Sequence, residues 1–359
     1  MRILIDATPL LLRSAGVKNY LYYWIQNLRS QAGADEVLTC PHLDSLPALT
    51  HERSVLGPVR TGVHLGSIFL NNAVPAVPLL RCTLPHADVF HVSNQIRKPP
   101  KAVRLTATLY DMTVRLMPEL HTAANRKAEE SLEKNVLRKA AGLIAISENT
   151  RQDAVRLLGL DPARIAVIYP GVPEVYFNAR PAPAAKPYIL FVGTIEPRKN
   201  IDTLLDAWED CQLRKEFDLV IAGPGGWAAQ KTLARLAAKP EGVRYLGYVA
   251  EAELPSLTAG ATAFVYPSLY EGFGFPVAQA MAAGVPVITS NTSCLPEVAG
   301  DGALLVDPRS PAAIRAALER LLGSPDLQRQ LRTAGKARAQ EYRWEVCAKQ
   351  SLEFFHRAM

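Results

Sequence analysis

Short apolar runs, each bounded by Gly, Pro or Asp, alternate along this chain with amphipathic stretches of helical period. A run that is apolar on both faces is buried on both faces, and a helix between two such runs carries the chain back to start the next strand in the same direction. The alternation therefore predicts α/β architecture with parallel sheets covered by helices on both sides. The expected strands of the N-terminal half are Arg2–Asp6, Val89–Val92, Leu105–Tyr110 and Leu143–Ser147. Those of the C-terminal half are Tyr188–Gly193, Leu219–Gly223, Val243–Leu246, Ala263–Tyr266, Val285–Thr289 and Ala303–Val306. A long helix is expected from about His121 to Ala141, a stretch rich in Ala, Glu, Lys and Leu.

A length of 359 residues suits two domains and buries about three quarters of the surface an unfolded chain exposes. The proline-rich stretch Arg180–Pro187 cannot continue a helix or a central strand, so it is expected to link them. The division is then 1–178, 179–342, and a final helix over 343–359 whose Trp344, Leu352, Phe354 and Phe355 need a surface to pack on. No internal repeat or low-complexity segment is present.

The formal charge is +6, and residues 1–178 carry most of it, with 20 basic against 15 acidic side chains. Without a run of five or six Lys/Arg, this bias fits a phosphate-bearing ligand or an anionic membrane surface better than DNA. Five scattered cysteines without a CxxC point to reduced thiols in a cytosolic protein rather than a disulfide frame or zinc site. The start MRILIDATPLLL has neither the basic region nor the cleavage site of a signal peptide. The longest apolar stretch, about Val63 to Leu80, is interrupted by His64, Asn71, Asn72, Pro75 and Pro78, too broken to span a bilayer. Membrane contact, if made, is expected to be peripheral.

The segment richest in chemistry is Pro267-Ser-Leu-Tyr-Glu-Gly-Phe-Gly-Phe-Pro276. It follows an apolar run, turns through Glu271, Gly272 and Gly274, and enters a helix with Pro276 at the favoured first position. Glycines let backbone amides approach a ligand, and a helix N-terminus brings unpaired donors and about half a positive charge. This is a phosphate cradle, with Glu271 placed to accept from sugar hydroxyls. A second strand–loop–helix joint, Phe191-Val-Gly-Thr-Ile-Glu-Pro-Arg-Lys-Asn-Ile201, puts Arg198 and Lys199 where open α/β sheets bind ligands. Taken alone these two cations would be a solvated loop pair; beside the first segment they are candidates to neutralise a leaving diphosphate. No Asp-x-Asp, the usual divalent-metal holder for a sugar nucleotide, occurs, and the seven histidines lack zinc-ligand spacing, so no metal is expected. Gly223-Pro-Gly-Gly226 lacks full dinucleotide-fingerprint spacing and is better taken as a tight turn.

These segments together resemble the retaining glycosyltransferases of family 4, with the GT-B fold. The resemblance rests on GTIEPRKN, AGPGGW, LGYV, the LPSLTAGATAFVYPSLYEGFGFP run and CLPEVAGDGALLVDP, and in the first half on Ala15-Gly16-Val17, Tyr110-Asp111-Met112 and ISENTRQD. It implies two Rossmann-like domains with parallel sheets facing each other across a cleft, the acceptor bound by the first and a nucleotide-diphosphate sugar by the second. It further implies that Glu271 contacts the donor sugar, with Gly272, Phe273, Gly274 and Phe275 offering amides around it, and that Lys199, with Arg198, grips the diphosphate. Gly16 would approach the phosphates from the first domain, and Gly223 and Tyr248 would lie near the nucleoside. Three departures stand out. The family's second glutamate falls at Gln279, its frequent His-Asp-Leu turn is Tyr110-Asp111-Met112, and the first loop has one glycine where relatives often have two. The expected activity is metal-independent hexosyl transfer with no cofactor, from GDP-mannose first or a UDP-hexose second, to a glycan or lipid-linked acceptor in polysaccharide biosynthesis. The expected location is cytoplasmic. A non-catalytic member of the fold, or one that hydrolyses or epimerises a nucleotide sugar, is the alternative.

Overall fold

The computed structural model describes residues 1–12, 16–50, 53–73, 85–99 and 103–359. The chain divides into two compact units, Met1–Gly171 with Trp344–Met359, and Val172–Arg343.

The first unit runs β1 (Arg2–Asp6), α1 (Gly16–Gln31), β2 (Glu36–Cys40), α2 (Pro58–Ala73), β3 (Val89–Val92), β4 (Arg104–Leu109), α3 (Ala123–Leu132), β5 (Gly142–Ala145), α4 (Glu148–Leu158) and β6 (Ile165–Val167). Among the described residues its sheet has six strands in the order β2-β1-β3-β4-β5-β6, every pair parallel. The strands form where apolar residues are continuous: Ile3, Leu4, Ile5, Phe90, Leu143 and Ile144 are almost wholly buried. Ser147 caps α4 by accepting from the Thr150 amide, and Gly159 ends it in the left-handed conformation. Beyond the expected strands, β2 and β6 complete the sheet. The helix expected to Ala141 is α-helical only over Ala123–Leu132 and then widens into a π-type turn, Glu133–Leu137. The C-terminal helix, Trp344–Arg357, belongs to this unit. Phe355 is fully buried, and Trp24 of α1 donates its indole N–H to Ser351 Oγ at 2.9 Å.

The second unit runs β7 (Tyr188–Val192), α5 (Ile201–Glu209), β8 (Asp218–Ala222), α6 (Gln230–Ala237), β9 (Val243–Gly247), α7 (Leu254–Ala259), β10 (Ala263–Tyr266), α8 (Phe275–Ala282), β11 (Val287–Ser290), α9 (Leu295–Ala299), β12 (Ala303–Val306), α10 (Pro311–Leu322) and α11 (Pro325–Ala339). The sheet order is β12-β11-β10-β7-β8-β9, again all parallel. The chain steps outward from β7 to β9, crosses back to β10 on the other side of β7, and steps outward again to β12. The loops after β7 and β10 consequently diverge at a topological switch point, where open α/β sheets bind ligands.

The division falls after Gly171 rather than at Asn178. The Val172 amide donates to Tyr342 O, and Arg343 covers the Phe177 ring and pairs with Glu174, so residues 172–178 join the second unit. Arg180–Pro187 forms no helix or strand, but it does not lie between the units: it is a strap within the second, with the Ala182 amide donating to Ser256 O.

Candidate active site

The loop after β7 turns through a single 3-10 turn, Pro197–Lys199, and is closed by Asn200 in the left-handed conformation at φ 60°. Asn tolerates that backbone better than most residues, and here its side chain also fixes the loop. Its Nδ2 donates to Pro267 O at 3.0 Å and to Pro308 O at 2.6 Å. The loop after β10 is tied to the same place, since the Leu269 amide donates to Arg198 O at 2.9 Å. Two adjacent strand ends are thus stitched together, and their charged side chains meet.

Glu271 is 7% exposed and Lys199 8%, a buried ion pair. Lys199 Nζ donates to Glu271 Oε1 at 2.6 Å and to Tyr266 Oη at 2.7 Å. The same carboxylate oxygen accepts from Ser268 Oγ at 2.6 Å and Tyr266 Oη at 3.0 Å. Its other oxygen, Oε2, lies 2.9 Å from Arg198 Nη1, and Arg198 also pairs with Glu196 at 2.7 Å. The Glu271 amide donates to Ser293 Oγ at 3.1 Å, so the loop after β11 supplies a third support.

Burial pushes the Glu271 carboxyl up, but Arg198, Lys199 and the hydrogen bonds from Lys199 and Ser268 outweigh it and hold it down at about 2. Burial pulls the Lys199 ammonium below its ordinary value, with Glu271 opposing. Burial and the neighbouring Glu271 both raise the Tyr266 hydroxyl, which stays a donor. Glu271 is therefore an ionised acceptor near neutral pH and cannot serve as a general acid there.

Gly274, at φ 88°, is the N-cap of α8, a conformation that favours glycine. Gly272 and Phe273 are buried beside Glu271, and Phe275 opens the helix. Gly223 follows β8 at φ 145°, where a Cβ would stand 1.9 Å from Gly193 O; only glycine lets these two strand ends approach. Tyr248 follows β9 and is 43% exposed. Glu271, Lys199, Gly223 and Tyr248 thus follow β10, β7, β8 and β9, consecutive strands in sheet order, so the predicted residues line one edge of the sheet. Gln279 lies in α8, half-buried. Gly16 opens α1 in the first unit and is exposed; Ala15 before it lies outside the described residues. Tyr110 packs edge-on against Tyr20 at 5.4 Å, and the hydroxyls of both are buried without a hydrogen-bond partner among the described residues. Asp111 accepts from the Thr113 amide and hydroxyl.

Tyr266, Ser268, Ser293 and Asn200 are site residues that the sequence reading passed over. Tyr266 ends a strand and Ser268 sits two residues on, a position that could have flagged them; Ser293 carries no such signal.

The family described as "Glycosyl transferases group 1" matches residues 174–338, and that described as "Glycosyltransferase Family 4" matches residues 14–175. The chain is 35% identical over 283 residues to O-antigen chain mannosyltransferase B of Escherichia coli, covering 74% of each protein. Among solved structures, sucrose-phosphate synthase of Thermosynechococcus elongatus superposes with a TM-score of 0.76 at 19% identity, covering 99% of this chain and 98% of that one. Anabaena HepE in complex with UDP and glucose gives 0.72 at 18%, covering 99% and 100%. These likenesses show a GT-B fold. Two family matches that follow one another along the chain, and a relative spanning three quarters of it, converge: the protein belongs to the group 1 glycosyltransferases, in glycosyltransferase family 4, and its activity is glycosyl transfer.

Proposed function

We propose that the protein transfers mannose from GDP-mannose, or as second choice a hexose from its UDP conjugate, to a glycan or lipid-linked acceptor, with retention of configuration and without a divalent metal. The observation that carries this reading is the meeting of Arg198, Lys199 and Glu271 at the switch point of the second sheet. The kinship with an O-antigen chain mannosyltransferase favours mannose.

In the reaction the bond between the anomeric carbon and the diphosphate oxygen breaks, and negative charge grows on the leaving group. Arg198, Lys199 and the N-terminus of α8 provide fixed positive charge for it. Glu271 holds both cations in place and accepts from hydroxyls of the sugar. No second carboxylate approaches Glu271 among its described partners, so attack from the face the diphosphate leaves is the route favoured. The acceptor oxygen then bonds to the anomeric carbon while its proton passes to the departing diphosphate oxygen. Gly223 and Tyr248 flank the nucleoside, and Gln279 takes the ribose.

The test is incubation with GDP-mannose or UDP-glucose and a mannose-terminated oligosaccharide, the product's anomeric configuration being read by NMR. The donor's configuration is expected in the product. An inverted product would contradict the proposed route. Free sugar released without acceptor would indicate a hydrolase, and donor binding without turnover on any acceptor would indicate a non-catalytic member.

A further inference from the structure

Helix α2 buries one aliphatic side chain, Ile68, in the core and turns mostly polar groups inward beside it. Thr61 bonds to Ser54 Oγ at 2.7 Å and Leu56 O at 3.1 Å, His64 lies 3.3 Å from Thr8 Oγ1, Asn71 Nδ2 donates to Lys98 O at 3.0 Å, and Asn72 Nδ2 donates to Gln95 O at 2.9 Å. Its outward side is apolar, with Val59 at 80% exposure, Val63 at 69%, Phe69 at 72% and Leu70 at 49%. These four, with Gly62 and Gly66 between them, recur at spacings of three and four and form one stripe without a charge, about 17 Å long. Of the eleven large hydrophobic side chains exposed among the described residues, four are on this one helix. A contiguous exposed patch of this kind marks an interaction surface, because the unit's own core does not use it.

The charges around the stripe say what it meets. From residue 45 to residue 110 the chain carries seven basic side chains and two acidic ones, Glu52 and Asp88, and Asp88 accepts from the Arg2 amide. Arg53 and Arg60 are exposed at the N-terminal end of α2. At the other end, Asn71 and Asn72 pin the loop bearing Arg97 and Lys98, whose Arg97 amide donates to Asn72 Oδ1 at 2.9 Å. Both ends of the apolar stripe are therefore basic. A second copy would bring the same positive fringe against this one in a symmetric contact, which like charges oppose. A surface that is apolar in depth and anionic at its face satisfies both features.

We propose that α2 docks the protein on an anionic lipid bilayer, lying in the interface with its apolar stripe toward the acyl chains and the basic residues among the headgroups. This goes beyond the donor chemistry, which belongs to the second unit, and gives a lipid-linked acceptor a place of delivery.

The experiment is flotation of the full chain with phosphatidylcholine vesicles, with and without phosphatidylglycerol, at low and high salt. The wild type is expected to float with the anionic vesicles and to dissociate in high salt. The double variant Val63→Glu/Phe69→Glu should lower partitioning about tenfold or more while keeping its circular dichroism and melting temperature, since both side chains face solvent. Arg60→Glu/Lys98→Glu should lower it for anionic vesicles alone. The proposal is overturned by a wild type that stays unbound at low salt, or by apolar variants that float as well as it does. It is also overturned by sedimentation equilibrium showing a dimer that Val63→Glu/Phe69→Glu dissolves, which would give the stripe to a second copy. GDP-mannose affinity measured on the same preparations keeps this outcome separate from that of the donor reading.

Discussion

Glu271 has one carboxylate oxygen taken by Lys199, Tyr266 and Ser268 and the other by Arg198. Removing either partner of the Lys199–Glu271 pair leaves a buried charge uncompensated, and on the proposed reading it takes a contact from the leaving group for Lys199 or from the sugar for Glu271. Lys199→Ala and Glu271→Ala are each expected to lower kcat by about a hundredfold or more with the fold retained, measured by steady-state kinetics with circular dichroism as the control. Wild-type turnover in either variant would mean that its role is misassigned. Gln279 invites the opposite experiment. Its side-chain amide has no hydrogen bond among the described residues, and a neutral amide accepts more weakly than a carboxylate. Gln279→Glu should tighten donor binding several-fold by calorimetry with kcat little changed, because the ribose is remote from the breaking bond. Weaker binding would show that the pocket is built around the amide.

At the scale of elements, what the sequence made legible were the strands buried on both faces. Val89–Val92 and Ala263–Tyr266 are entirely buried, and their apolar runs stand out between polar neighbours. Strand β2, EVLTC, mixes Glu, Thr and Cys with two aliphatics, and β6 is three residues long, so neither carries a pattern that separates it from a loop. The prolines of Arg180–Pro187 do forbid regular structure, but prolines alone do not say whether an irregular segment links two units or straps one. The site divides in the same way. Glu271, Lys199 and Gly274 announce themselves through residue type beside a strand–turn–helix joint. Ser268 reaches Glu271 from within the same loop, whereas Ser293 acts only because the loops after β10 and β11 are neighbours in space. Strand β3 supplies an element-scale prediction. His91 bonds to Thr106 and Thr108 of β4 at 3.0 and 2.8 Å, packs against Trp24 and Phe355, and is held neutral by burial down to about 3. An unfolded chain takes this proton near pH 6.5, so the unfolded state binds more protons between about 6.5 and 3, and stability is complete above that window and falls on acidification. The loss approaches about 5 kcal/mol across it. His91→Gln should flatten this part of the curve of unfolding free energy against pH; an unchanged slope would show that the ring is not what titrates.

For the whole molecule, on the proposed reading, fixed charge on the protein takes the part that a divalent ion plays in other sugar-nucleotide enzymes. Activity is expected to survive EDTA; a rate that disappears on chelation and returns with Mn²⁺ or Mg²⁺ would contradict this. The central claim is that a nucleotide-diphosphate sugar binds through Arg198, Lys199 and Glu271. The most direct test is a thermal-shift screen of GDP-mannose, UDP-glucose and an ADP-sugar against the wild type and Lys199→Ala. One donor, GDP-mannose in the first place, should stabilise the wild type by about 2.7 kcal/mol at a hundredfold its Kd, and the shift should be largely lost in Lys199→Ala. No shift with any nucleotide sugar, or an equal shift in both proteins, would contradict it.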